Sequence, residues 1–189
     1  MFTGIISSVA KIEKSEHKNG SLFFTIEKPK NWQIKIGDSI ATNGICLTVI
    51  KVNQKNYVVE LMPETLSKTS FSKIIPSKVN LERPLKLNDK VDGHFVLGHI
   101  DAVGKIVKIT KQGKSNLYQI SFPKIFAKLV VTKGSITVDG ISLTIVKVFK
   151  NDFTVALMDY TLKHTTLGQK KNNDYVNLEF DILAKYFVK

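Results

Sequence analysis

The sequence predicts an all-β protein built of two tandem homologous barrels. Three observations carry that prediction: an internal duplication, paired hairpin-turn signals, and short strand-forming runs between polar turns. The stretch Ser39-Ile40-Ala41-Thr42-Asn43-Gly44-Ile45-Cys46-Leu47-Thr48-Val49 returns 96 positions later as Ser135-Ile136-Thr137-Val138-Asp139-Gly140-Ile141-Ser142-Leu143-Thr144-Ile145. The same offset carries Leu61-Met62 onto Leu157-Met158, Thr65-Leu66 onto Thr161-Leu162 and Thr69 onto Thr165. Gly4 and Val9-Ala10-Lys11-Ile12 match Gly98 and Val103-Gly104-Lys105-Ile106 at an offset of 94, and Val79-Asn80-Leu81-Glu82 recurs as Val176-Asn177-Leu178-Glu179 at 97. This period is far longer than the roughly 20 to 50 residues of solenoid and propeller units, so each copy is expected to hold its own core.

In each copy a run ending at Thr42 or Val138 meets a second run, Cys46 to Val52 or Ser142 to Val148, across Asn43-Gly44 or Asp139-Gly140. Both dipeptides supply the positive φ angles that a two-residue hairpin requires. Polar turns at 53–56 and 150–152 lead into Tyr57 to Leu61 and Phe153 to Leu157, and Leu22 to Ile26, Leu117 to Phe122 and the two Val-Asn-Leu-Glu segments add further β-rich runs. Strands this short and closely spaced predict closed barrels. Residues 64–72 and 160–168 are polar enough to hold helical turns, and 84–91 reads as the connection between the copies. Expected boundaries are residues 1–88 and 89–181 for the barrels, with a short C-terminal helix starting at 182–189. Its apolar residues Ile182, Leu183, Tyr186 and Phe187 recur on one helical face.

Composition narrows the function. The 189 residues hold 43% hydrophobic residues, and no run nears the roughly 18 apolar residues of a membrane span. The first residues lack the basic and apolar regions of a secretory signal, so a cytoplasmic protein is expected. A single cysteine, Cys46, excludes an intrachain disulfide and a zinc site made of cysteine pairs. The formal net charge of +12 raises the prospect of nucleic-acid binding. Arg83 is the only arginine, however, and the dispersed lysines read as a solvated surface rather than a phosphate-reading face. No nucleic acid and no membrane partner are expected. Loops for dinucleotide or triphosphate binding are absent from the sequence, and no cofactor is expected.

The copies disagree where chemistry is concentrated. Cys46 aligns with Ser142, His99 with Ile5, Asp181 with Pro84 and Lys133 with Gly37. Groups shared by both copies, such as Ser39 with Ser135 and Thr48 with Thr144, fit a common barrel skeleton; single-copy reactive groups need another reason. For Cys46 the competing reading is a small buried hydrophobe, and for Asp181 an N-cap of the tail helix. A metal site on His94, His99 and Asp101 lacks a confirming ligand cluster, and no metal is expected.

Taken together, Met1-Phe2-Thr3-Gly4-Ile5, Asn43-Gly44-Ile45-Cys46-Leu47-Thr48-Val49, Gly93-His94-Phe95-Val96-Leu97-Gly98-His99-Ile100-Asp101 and Asp139-Gly140-Ile141-Ser142-Leu143-Thr144 resemble riboflavin synthase, over residues 1 to about 185. The resemblance implies six-stranded Greek-key barrels, each binding one 6,7-dimethyl-8-ribityllumazine. It also implies a dismutation that moves a four-carbon unit between two such molecules, giving riboflavin and 5-amino-6-ribitylamino-2,4-pyrimidinedione. It further implies a homotrimer, association with lumazine synthase, and a productive site where the N-terminal barrel of one subunit meets the C-terminal barrel of its neighbour.

Carried over by motif, the catalytic positions are Ser39, Cys46, Thr48, His99 and Asp181. One lumazine site takes Gly4, Ile5 and Ile6 with Ser142, Leu143 and Thr144 and with Ala156, Leu157, Met158, Asp159, Tyr160 and Thr161. The other takes Cys46, Leu47 and Thr48, then Glu60, Leu61, Met62, Pro63, Glu64 and Thr65, with Gly98, His99, Ile100 and Lys133. The alternative is a non-catalytic lumazine- or flavin-binding protein on the same barrels, which would be expected to have lost the single-copy reactive groups.

Overall fold

The computed structural model describes residues 1–188, and two closed six-stranded barrels account for most of them. The first is formed by β1 (Ser8–Lys18), β2 (Ser21–Glu27), β3 (Ser39–Thr42), β4 (Ile45–Val52), β5 (Asn56–Leu61) and β6 (Lys78–Glu82), hydrogen-bonded in the order β1-β2-β5-β4-β3-β6. The second repeats it with β7 (Ala102–Gln112), β8 (Ser115–Ser121), β9 (Ser135–Val138), β10 (Ile141–Val148), β11 (Asp152–Met158) and β12 (Tyr175–Phe180). Non-consecutive neighbours such as β2 and β5 give each barrel its Greek-key character, and closure leaves no long unpaired edge.

The predicted hairpins form as their turn residues require. Asn43 and Gly44 have φ of 46° and 80°, and Asp139 and Gly140 have 45° and 81°, the paired left-handed conformation of a tight hairpin loop. The β1–β2 register shifts between Ile12 and Lys14, and the β7–β8 register between Ile106 and Lys108. The β4–β5 and β10–β11 pairs shift at Val49/Lys51 and Ile145/Lys147. Bulges bend a strand enough to turn it around a small barrel, and both copies place them at equivalent sites.

Each barrel has its own apolar core. Leu22, Phe24, Tyr57, Val59 and Leu81 fill the first, and Ile106, Ile120, Phe153, Val176 and Leu178 the second, all at 0% exposure. The helical turns expected at 64–72 and 160–168 are α1 (Pro63–Ser67) and α2 (Asp159–His164), each followed by a 3-10 turn. The tail folds as α3 (Ile182–Phe187), with Asp181 Oδ1 accepting the Leu183 N–H at 3.0 Å as an N-cap. Leu183, Tyr186 and Phe187 remain exposed. Among the described residues no helix is long and apolar enough to cross a membrane. Three elements carry no clear signal in the sequence: the long strands β1 and β7, and a 3-10 segment over Lys124–Leu129.

The barrels meet across a polar, pseudo-symmetric junction. Asn80 Nδ2 donates to the Asp139 carbonyl at 2.9 Å and Asn80 Oδ1 accepts the Thr166 N–H at 2.7 Å. In mirror fashion Asn177 Nδ2 donates to the Asn43 carbonyl at 2.9 Å and its Oδ1 accepts the Ser70 N–H at 2.7 Å. Gly44 and Gly140 touch back to back, where a Cβ on Gly44 would lie 2.7 Å from the Gly140 nitrogen. Both asparagines are fully buried, and each satisfies backbone groups of the opposite barrel.

Candidate active site

Two segments cross between the barrels and build a cavity on each. Phe2 and Val96 pair through reciprocal backbone bonds of 2.7 and 3.1 Å, so the chain start and the interbarrel segment run antiparallel at the junction. Beyond this pair, residues 3–6 pass onto the C-terminal barrel and residues 97–100 onto the N-terminal barrel. The Ser142 N–H donates to the Gly4 carbonyl at 2.8 Å, and the Cys46 N–H to the Gly98 carbonyl at 2.9 Å. Contact is so close that a Cβ on Gly4 would come 2.6 Å from the Ser142 Cβ, and one on Gly98 2.6 Å from the Cys46 Cβ. Gly4 and Gly98 also have φ of 79° and 81°, so glycine is needed at both for conformation as well as space.

Beside Cys46 lies a cavity of about 350 Å³ walled by Glu64, Thr65, Gly98, His99 and Ile100. Beside Ser142 lies one of about 550 Å³ walled by Gly4, Ile5, Ile6, Tyr160 and Thr161. These are residues the motifs assign to the two lumazine sites, and the structure brings them together beside one cavity on each barrel. Others have different surroundings. Leu47, Leu61 and Leu157 are barrel core at 4%, 0% and 1% exposure, so what they can offer a ligand is backbone. Alternation along β4 explains this: Ile45, Leu47 and Val49 point inward, leaving Cys46 and Thr48 outward.

Thr48, Thr144, Ala156, Met158, Asp159, Met62 and Pro63 are exposed; Glu60 and Leu143 are half-buried. Ser39 lies directly opposite Thr48 in the β3–β4 register and lines a separate cavity of about 500 Å³ with Trp32 and Arg83. Lys133 sits on the exposed turn before β9, in the C-terminal barrel, away from the Cys46 cavity it is assigned to. Within one chain, therefore, Cys46 and His99 share a cavity, Ser39 and Thr48 share the adjoining barrel face, Asp181 acts on His94 beside the other cavity, and Lys133 stands apart.

The two cavities differ chemically. Cys46 is half-buried beside the exposed His99. At its rim, Glu64 pairs with Lys68 at 2.7 Å, and hydrogen bonding and charge from Lys68 hold the Glu64 carboxyl below its usual range. Across the junction the Ser142 hydroxyl lies 2.7 Å from His94 Nδ1, and His94 Nε2 lies 3.2 Å from the Thr137 hydroxyl. Burial lowers the His94 pKa, and the Asp181 carboxylate opposes that shift. The sequence offered His94 only as a metal ligand; its partners instead are hydroxyls. Tyr160 and His164 stack at 4.0 Å between centroids on the rim of this second cavity, an aromatic surface suited to a planar ring.

Asp101, another member of the weighed metal set, is occupied elsewhere: its carboxylate accepts the Phe180 N–H at 2.8 Å and binds Lys185 at 2.7 Å, tying α3 to the end of the crossing segment. Two carboxylates that sequence reading treated only as strand residues, Glu82 and Glu179, accept the backbone N–H groups of the crossing segments. The signal was present in the repeated Val-Asn-Leu-Glu, since a carboxylate flanked by apolar strand residues needs a partner when buried.

Comparison with known proteins accords with this geometry. The model of the lumazine binding domain matches twice, over residues 3–84 and 97–181. The riboflavin synthase of Actinobacillus pleuropneumoniae is 43% identical over 189 residues, covering 98% of this chain and 87% of that protein. That of Bacillus subtilis is 38% identical over 191 residues, covering 100% and 89%, and that of Mycobacterium bovis 40% over 192 residues, covering 98% and 96%. Among solved structures, LumP complexed with riboflavin has the same fold, with a TM-score of 0.88 at 22% identity over 95% of this chain and 99% of LumP. Two barrels with reciprocal cavities, two matches to the lumazine binding domain and identities near 40% along the whole length converge on one statement: the chain belongs to the riboflavin synthase family.

Proposed function

We infer that this chain catalyses the dismutation of 6,7-dimethyl-8-ribityllumazine, two molecules giving one riboflavin and one 5-amino-6-ribitylamino-2,4-pyrimidinedione by transfer of a four-carbon unit. The observation that carries the reading is the pair of like-built but unlike-armed cavities, Cys46 with His99 on one barrel and Ser142 with His94 on the other. Two copies of one substrate, needed in different roles, suit two such cavities.

The lumazine C7 methyl is acidified by the conjugated ring, so the protein's main tasks are to orient two rings and to manage protons. Orientation alone can supply about 7–11 kcal/mol of the barrier. His99 or Ser39 assists removal of the methyl proton, and Cys46 or a held water adds reversibly at C7 of the acceptor. Thr48 and Asp181 complete the polar set once a neighbouring subunit is present. In a homotrimer, the N-terminal barrel of one chain faces the C-terminal barrel of the next, which brings Lys133 to a Cys46 cavity. The face formed by half-buried Ser39 and exposed Thr48, and the exposed apolar residues of α3, support that arrangement. Residues 1–88 and 89–181 are the two functional units, with α3 as the assembly helix; the expected tail segment 182–189 ends in Lys189, which lies outside the described residues. We place the protein in the cytoplasm, in association with lumazine synthase.

Retention of Cys46, His99 and Asp181 favours the enzyme over a flavin carrier on the same fold. Incubating the purified protein with the lumazine alone, and following riboflavin absorbance, tests this. Riboflavin is expected without added cofactor; lumazine that stays unconverted on folded protein would overturn the assignment.

A further inference from the structure

The segments that wall the two cavities are each held from behind by one buried carboxylate. Glu82, 5% exposed, ends β6 of the N-terminal barrel. Its Oε1 accepts the Thr3 N–H at 2.7 Å and the Thr3 hydroxyl at 2.9 Å, and its Oε2 accepts the Gly4 N–H at 3.0 Å. Glu179, 2% exposed, lies near the end of β12 of the C-terminal barrel. Its Oε1 accepts the Leu97 N–H at 2.6 Å, and its Oε2 accepts the Gly98 and His99 N–H groups at 2.9 and 3.1 Å.

Gly4 continues to the Ser142 cavity, on the barrel that does not contain Glu82. Gly98 and His99 continue to the Cys46 cavity, on the barrel that does not contain Glu179. Each carboxylate therefore belongs to one barrel and governs the wall of the other barrel's cavity. An ionised carboxylate is acceptor-only and can take three donors at once, whereas a side-chain amide would aim its own N–H groups at backbone N–H groups.

Resting on the reading of these cavities as lumazine sites, we propose that Glu82 and Glu179 are reciprocal positioning residues. Glu179 fixes the Gly98-His99 wall beside Cys46, and Glu82 fixes the Thr3-Gly4 wall beside Ser142. Neither carboxylate is assigned contact with the substrate. The duplication thereby yields two sites whose geometry is set crosswise, so that a disturbance in one barrel is felt at the other barrel's ligand.

Cys46, the sole thiol, is a built-in reporter of one cavity. The experiment measures how riboflavin slows alkylation of Cys46 by iodoacetamide in the full chain, in Glu179→Gln and in Glu82→Gln. Glu179→Gln is expected to raise the riboflavin concentration for half-protection at least about tenfold, and Glu82→Gln to leave it within about twofold, while both variants lose turnover. If each carboxylate merely supported its own barrel, Glu82→Gln would disturb the Cys46 cavity and Glu179→Gln would not; that result overturns the proposal, as does an unchanged midpoint in Glu179→Gln. Should Glu179→Gln fail to fold, Glu179→Asp keeps the acceptor one methylene short, and a midpoint unchanged there contradicts the proposal equally. Absence of any protection in the unsubstituted chain would instead overturn the cavity assignment, and the crosswise roles with it.

Discussion

Two residues separate chemistry from architecture. Cys46 and His99 meet at a cavity outside the two barrel cores, so changing their reactive atoms leaves those cores intact. Cys46→Ser and His99→Gln are expected to lower kcat by roughly 10²-fold or more while the melting temperature stays nearly constant; steady-state rates and calorimetry on the same preparations check this. Gly98 behaves oppositely. With φ of 81° and a Cβ position 2.6 Å from the Cys46 Cβ, Gly98→Ala strains the backbone and pushes the crossing segment off β4. It should cost about 1–3 kcal/mol in stability and weaken riboflavin binding in a fluorescence titration. The candidate reactive positions stand out in the sequence because the duplication supplies its own control: the thiol of Cys46, the imidazole of His99 and the carboxylate of Asp181 each have no counterpart in the other copy. Glu82 and Glu179 do not, because they occur in both copies and look like strand residues. Their role exists only once residues 3–4 and 97–99 cross between barrels, a contact spanning about eighty positions of chain.

Glu179 also carries a pH signature. Burial pushes its carboxyl up to about 6, with the Leu97 and Gly98 N–H bonds pulling the other way. Between the ordinary carboxyl range and about 6 the folded chain thus binds more protons at this position than the unfolded chain does. Its contribution to stability is greatest at low pH and declines as pH rises through that window, by about 2 kcal/mol. Denaturant unfolding of the chain and of Glu179→Gln at pH 4 and pH 7 should show their stability difference changing by about this amount, the unsubstituted chain losing ground at pH 7. Keeping an ionised group buried at that cost is consistent with a carboxylate retained for positioning.

Among the elements, the hairpins were the most readable because Asn43-Gly44 and Asp139-Gly140 admit few alternatives to a tight turn. The short helices after β5 and β11 were visible only as polar stretches. Strands β1 and β7 escaped notice because their outer halves are exposed and lysine-rich, without the apolar alternation that marks a half-buried strand. Their pairing with β2 and β8, not their composition, makes them strands. Helix α3, marginal by length, is held by its Asp181 cap and by the half-buried Lys185–Asp101 pair at 2.7 Å. Lys185→Met removes that tether. It should destabilise the chain by about 1 kcal/mol and, by loosening Asp181, lower turnover more than Cys46 accessibility changes; melting, rate and alkylation measurements separate the two effects.

At the scale of the whole molecule, a polar junction joins two apolar cores. Asn80 and Asn177 each satisfy a carbonyl and an N–H of the opposite barrel while buried. Replacing either by alanine strands two backbone groups and should cost roughly 2–4 kcal/mol, detectable as unfolding in two separated transitions where the parent shows one. The tandem arrangement was legible from the repeat alone. The antiparallel crossing at Phe2 and Val96, by which each barrel receives its cavity wall from outside itself, was not, since no local pattern encodes an exchange between copies.

That exchange gives one chain two cavities of similar build and different chemistry, suited to hold two identical molecules that react with each other. A substrate balance tests this most directly: folded protein supplied with 6,7-dimethyl-8-ribityllumazine alone, with substrate and both products quantified over time. Two lumazines are expected to be consumed for each riboflavin formed, with an equal amount of the pyrimidinedione. Lumazine that binds and stays unconsumed, or riboflavin formed without that companion product, would contradict it.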